Sequence, residues 1–133
     1  MSLAIIDASV LAVFYLTADP RRDAVIARLS AGDALYAPAH LDAEVVSALR
    51  GLARANPALQ RATPAALRHL ARLPVRRMPL APLLDRMWAL RDNVTAYDAA
   101  YVALAERLAA PVLTCDAKLA AASGGLCAFD LIS

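Results

Sequence analysis

Two short apolar runs, each stopped by an aspartate, restrict what this chain can fold into more than any other feature. Leu3-Ala4-Ile5-Ile6 ends at Asp7, and Val112-Leu113-Thr114-Cys115 ends at Asp116. Each run is too short for a helix, shows no alternating polar face, and is followed at once by helical spacing. A strand without a polar face has both sides covered, the condition of a parallel sheet sandwiched between helices. Both aspartates then stand at the carboxyl ends of their strands, the edge where open α/β sheets bind ligands.

The intervening chain fits that pattern. Leu35-Tyr36-Ala37 before Pro38, Val75 to Met78 before Pro79, and Leu126 to Ile132 supply the remaining strands. Helices are predicted from Ala8 to Thr17, around Ala24 to Leu29, from Leu41, from Pro64 to Leu73, from Pro82 to Arg91, across Thr95 to Glu106, and from Ala117 to Ala122. Thr63 is the expected N-cap of the Pro64 helix, with proline at its first position. No repeat or linker interrupts the alternation, so residues 1–133 are expected to form one α/β domain with a mostly parallel central sheet.

The helix from Thr95 carries an anomaly. Asp98 shares a face with Tyr101, Val102 and Ala105 at helical spacing, and that is the face to be buried. An aspartate there costs several kcal/mol, of order 2–7, unless a cap, a cation or a metal compensates. Thr95 and Asp98 match the pattern of a capping box, which is the local alternative to a metal.

Composition narrows the chemistry. At 60% hydrophobic content the core needs no disulfides, and Cys115 and Cys127 lack the spacing of a zinc or redox site. Charged residues, 20% of the chain, break every apolar run short of a membrane span, and no basic segment precedes the first apolar stretch. A soluble, unprocessed, cytoplasmic protein with no membrane contact is expected. His40 and His69 match no metal or nucleophile motif and receive no role, and Trp88, Tyr97 and Tyr101 are expected in packing. Net charge is +2, and Lys118 is the only lysine among 14 basic residues, leaving arginine, the better bidentate phosphate ligand, to dominate.

Four acids remain. Asp7 and Asp116 end strands, Asp98 opens one helix, and Glu44 lies one turn into another at the edge of its apolar face, so all four can project into one crevice. Like charges so close disfavour one another's ionisation, and a divalent metal removes that objection. A purely oxygen donor set favours Mg²⁺ or Mn²⁺ over zinc. Carboxylates holding such an ion are suited to phosphodiester hydrolysis without a protein nucleophile, consistent with the lack of a G-x-S-x-G elbow, a Cys-His signature or a phosphate-binding glycine loop. Taken singly, Asp7, Asp98 and Asp116 each also read as helix caps and Glu44 as a first-turn acid. Ser9 and Thr114 stand beside Asp7 and Asp116 as supporting hydroxyls.

Ile6-Asp7-Ala8-Ser9, Glu44-Val45-Val46-Ser47-Ala48-Leu49-Arg50, Tyr97 through Glu106, and Leu113-Thr114-Cys115-Asp116 together resemble the PIN-domain ribonucleases, and within them the VapC-type toxins of toxin–antitoxin pairs. The resemblance covers nearly the whole chain. It implies a three-layer α/β/α fold and a Mg²⁺- or Mn²⁺-dependent endoribonuclease with Asp7, Asp98 and Asp116 as main metal ligands. Glu44 would bind a second ion or orient water, and Thr114 would support the site. It also implies a cytoplasmic homodimer inhibited by a small cognate antitoxin. Ser9 and Arg91 are candidate RNA contacts, and Arg50, Arg54, Arg68 and Arg72 a candidate basic strip. The alternatives are a catalytically inactive PIN-like binding module and a receiver-like Mg²⁺-binding signalling domain; Asp7 lacks the acidic neighbour that the latter needs.

Overall fold

A computed structural model describes residues 2–123 and 125–133. Five strands form one sheet: β1 (Leu3–Ile6), β2 (Ala34–Pro38), β3 (Val75–Met78), β4 (Val112–Thr114) and β5 (Phe129–Leu131). Their order is β3-β2-β1-β4-β5 and every pairing is parallel. The expectation of a mostly parallel sheet is met in full. Receiver-like domains use the order 2-1-3-4-5, so this topology sets that alternative aside.

Seven α-helices connect the strands: α1 (Ala8–Tyr15), α2 (Arg22–Leu29), α3 (Leu41–Ala53), α4 (Pro57–Arg72), α5 (Leu84–Ala89), α6 (Ala96–Leu108) and α7 (Ala117–Ala122). Ala4, Ile5 and Ile6 point to alternate faces of β1 yet are all fully buried, because helices cover both sides. Helix α6 packs across β1, β2 and β4, while α1 lies on β4 and carries α2 and α3. The core runs through Ile5, Ile6, Leu11, Leu41, Leu49, Tyr101, Leu104 and Leu113. The order in which strands are added switches from one side of β1 to the other between β1 and β4, and the carboxyl ends of these two strands flank the switch point where such folds form their crevice.

Several local readings change. The fourth helix begins at Pro57, with Asn56 Oδ1 accepting a 3.1 Å hydrogen bond from the Leu59 amide. Thr63 is therefore no cap; its hydroxyl donates to the Leu59 carbonyl one turn back, and Pro64 sits inside the helix. The segment predicted as a helix from Pro82 to Arg91 divides into a 3₁₀ turn, Ala81–Leu83, and the short α5. The final strand is confined to Phe129–Leu131; Gly124 lies outside the described residues. Trp88, expected in the core, is 69% exposed, because α5 turns its other side toward α6. The Arg77 guanidinium donates to the carbonyls of Leu70, Leu73 and Val75 and pairs with Asp42, closing the end of α4.

Candidate active site

Asp7 follows β1 directly and is 7% exposed. Its position suits a cap for α1, but its side chain makes no capping bond. Instead Oδ2 accepts hydrogen bonds from Thr114 Oγ1 at 2.7 Å and Ser9 Oγ at 2.8 Å. Each hydroxyl oxygen is also an acceptor, Thr114 Oγ1 from the Asp116 amide and Ser9 Oγ from the Cys115 amide, both at 2.9 Å. The two hydroxyls therefore tie the end of β1 to the end of β4. Thr114 is completely buried.

Asp116 does cap α7. Its Oδ1 accepts from the amides of Lys118 and Leu119, and both bonds fall on that one oxygen. Capping and ligation are compatible here, since the cap holds the carboxylate at the crevice edge. Asp98 occupies the first turn of α6, where Thr95 Oγ1 accepts from its amide at 3.2 Å. Beyond that turn, Ala99 to Ala105 are all buried rather than a single stripe, because α5 covers the side of α6 turned away from the sheet.

Glu44 lies in the first turn of α3 and is half-buried. Tyr101, reaching from α6, donates its hydroxyl to Glu44 Oε1 at 2.6 Å, and His40 Nε2 stands 3.2 Å from the same oxygen. His40 also contacts the Tyr97 carbonyl at 3.1 Å. His40 and Tyr101 were thus absent from the residues expected in the site. The i, i+4 spacing of His40 and Glu44 was the visible signal for one; the phenol of Tyr101 looked like packing because its ring is indeed core.

The electrostatics are one-sided. Burial lifts the Asp7 carboxyl above its ordinary range, more than the Thr114 and Ser9 hydrogen bonds lower it, and the charge of Glu44 adds to the rise. Burial likewise lifts Asp98, and the charges of Asp7, Glu44 and Asp116 raise it further. Glu44 behaves oppositely: burial pushes it up, but the His40 and Tyr101 hydrogen bonds together bring it below its ordinary value. The four predicted acids are therefore close enough to feel one another. Among the described residues no three His, Cys, Asp or Glu side chains form a ready-made metal cage. Unbalanced negative charge on an all-oxygen donor set fits a hard divalent cation.

Two grooves border the acids. One, of about 560 Å³, is lined by Arg91, Thr95, Asp98, Asp116 and Lys118. The other, of about 450 Å³, holds His40, Glu44, Ser47 and Tyr97. Arg91 is therefore beside the acids, while the hydroxyl of Ser9 is committed to Asp7 and the Cys115 amide. Arg50 and Arg54 line a separate groove between α3 and α4, and Arg68 and Arg72 are exposed on α4.

The geometry has counterparts. Residues 4–125 match the model of the PIN domain family. The chain is 36% identical over 131 residues to Ribonuclease VapC12 of Mycobacterium tuberculosis, covering 98% of this chain and 100% of that protein. It is 42% identical over 118 residues to Ribonuclease VapC3 of the same organism, covering 89% and 85%. The crystal structure of M. tuberculosis VapC20, described as a Sarcin-Ricin loop cleaving toxin, superposes with a TM-score of 0.70 at 19% identity, over 90% of this chain and 94% of that one.

Proposed function

This chain belongs to the PIN-domain family, among its VapC-type ribonucleases, and from that premise we propose that it is a divalent-metal-dependent endoribonuclease acting as the toxin of a toxin–antitoxin pair. The observation that carries the catalytic reading is the cluster of Asp7, Glu44, Asp98 and Asp116 around the β1–β4 switch point, where the charges of the other three acids all raise Asp98. Asp7, Asp98 and Asp116 are the residues to hold Mg²⁺ or Mn²⁺, with Glu44 holding a second ion or orienting water. When bound, the cation supplies Lewis acidity, acidifying water and neutralising charge that develops on the phosphate.

The chain's own part is positioning. Thr114 and Ser9 fix one oxygen of Asp7 and leave the other without a side-chain hydrogen bond. The α7 cap fixes Asp116 through Oδ1, and Thr95 sets the turn from which Asp98 projects. Tyr101 and His40 keep Glu44 ionised and aimed. Arg91 and Lys118 line the groove that holds Asp98 and Asp116 and supply positive charge to phosphates beside the acids.

The relatives' names further support an RNA substrate and a small cognate antitoxin. A homodimer working in the cytoplasm completes the proposal, and no described helix is long and apolar enough to cross a membrane. Purified protein freed of antitoxin should cleave RNA with Mg²⁺ or Mn²⁺, stop on addition of chelator, and lose at least about a thousandfold in rate in Asp98→Asn while keeping its fold. Full activity of that variant, or cleavage unaffected by chelator, overturns the assignment.

A further inference from the structure

The exposed aromatic rings of this protein are not scattered. Trp88 is 69% exposed and Tyr97 is 65% exposed. Large aromatic rings are ordinarily the first to be buried, since each carries 150–250 Å² of mostly apolar surface, as a rough range. Tyr97 borders the carboxylates directly, and Trp88 is joined to an arginine that does. Tyr97 immediately precedes Asp98 and lines the groove with Glu44, its ring 6.0 Å from that of His40. Its backbone carbonyl is held by His40 Nε2. Trp88 reaches the other groove through Arg91. The Arg91 guanidinium sits 4.5 Å above the centre of its ring and also donates to the Trp88 carbonyl at 3.0 Å, and Arg91 lines the groove of Asp98 and Asp116. A guanidinium stacked on an indole and tied to the backbone is a flat, preorganised, positively charged surface.

We propose that Tyr97 on one side of the carboxylates and the Trp88–Arg91 stack on the other are base-stacking ledges that grip unpaired nucleotides flanking the scissile phosphate. The inference rests on the ribonuclease reading. Its chemistry is general: every base offers a π-face, aromatic rings and arginine planes accept it, and paired bases inside a duplex cannot supply it. Arg91 adds phosphate attraction at the same point, offsetting the repulsion between RNA and the acid cluster. The ledges therefore set which RNA conformation reaches the acids, and they do so without touching the metal site.

Trp88 is the only tryptophan in the chain, so its emission reports this ledge alone. A single-stranded RNA oligonucleotide should quench that emission over the same concentration range in which fluorescence anisotropy of a labelled copy registers binding. A blunt duplex of the same sequence should leave the emission unchanged. Trp88→Ala and Tyr97→Ala should each weaken single-strand binding about tenfold. Tyr97→Phe, which keeps the ring, should bind like the parent.

RNA that is bound and cleaved with emission unchanged, and with both alanine variants within twofold of the parent, overturns the ledges while leaving the nuclease intact. Quenching and the alanine losses without cleavage under Mg²⁺ or Mn²⁺ keep the ledges and remove the nuclease. Emission that shifts to the blue on raising protein concentration without RNA means that Trp88 is covered by a second copy of the chain, and that too overturns its role as a ledge.

Discussion

Asp7 shows how little of this site is made by the acids alone. Its carboxylate is held by two hydroxyls whose own lone pairs are occupied by amides of the neighbouring strand end. Thr114→Val is nearly isosteric, but it removes the donor to the buried Asp7 carboxylate and the acceptor of the Asp116 amide. A stability loss of about 1–3 kcal/mol follows, readable by denaturant titration, together with a fall in activity. The pair His40 and Glu44 makes a second prediction, with a defined pH window. Folding raises His40 above its ordinary 6.5, chiefly through its hydrogen bond to Glu44, so its contribution is complete below that value and is lost as pH rises through the folded value. Folding lowers Glu44 below its ordinary 4.5, so its contribution is present above that value and lost as pH falls through the folded one. The melting-temperature difference between parent and His40→Gln should therefore be widest between 4.5 and 6.5 and shrink on either side. A flat difference across that range leaves the ion pair without thermodynamic weight.

At the scale of elements, α6 ends in a conformation that its sequence does not favour. Ala109 adopts φ 50°, in the left-handed region, while its amide and that of Ala110 turn back to the last carbonyls of the helix, and Pro111 follows. An L-residue with a side chain there costs about 1–2 kcal/mol. Ala109→Gly should recover roughly 1 kcal/mol, a few degrees in melting temperature for a chain of this size, with activity unchanged. The same end of the chain shows what the sequence carried and what it did not. Strands β1 and β4 were legible because uninterrupted burial leaves a pattern in neighbouring residues, and with them the places of Asp7 and Asp116. Asp98 was legible because it was out of character with its own helix face. The start of α4 was not, since Asn56-Pro57 and Thr63-Pro64 carry equivalent local signals and only packing on α3 decides between them. Nor was Trp88, whose exposure depends on how a short helix lies on α6. Tyr101 was legible as core but not as the donor to Glu44, because that bond joins residues 57 positions apart and no local pattern records it.

For the molecule as a whole, the acid cluster makes folding and cation binding compete over the same protons. Asp7 and Asp98 are raised above 3.8 in the folded chain, first by burial and then by like charges, so the folded state binds more protons than the unfolded one just above that value. Without a cation their contribution has the opposite sign to that of an ordinary paired aspartate: stability falls as pH rises from 3.8 through their folded values. A divalent cation that binds only the folded, ionised cluster reverses that loss. At a hundredfold excess over its dissociation constant it adds about 2.7 kcal/mol, on the order of 10 °C. Scanning calorimetry with Mg²⁺ or Mn²⁺ at neutral pH should show this rise, with sodium chloride of equal ionic strength giving much less. The increment should shrink as pH is lowered, because protonated Asp7 and Asp98 no longer bind the ion. Asp98→Asn separates the two effects: losing one of the repelling charges, it should melt at or above the parent's temperature without divalent metal and gain less when metal is added. An increment that ignores both pH and the Asn substitution would place the bound cation somewhere other than this cluster.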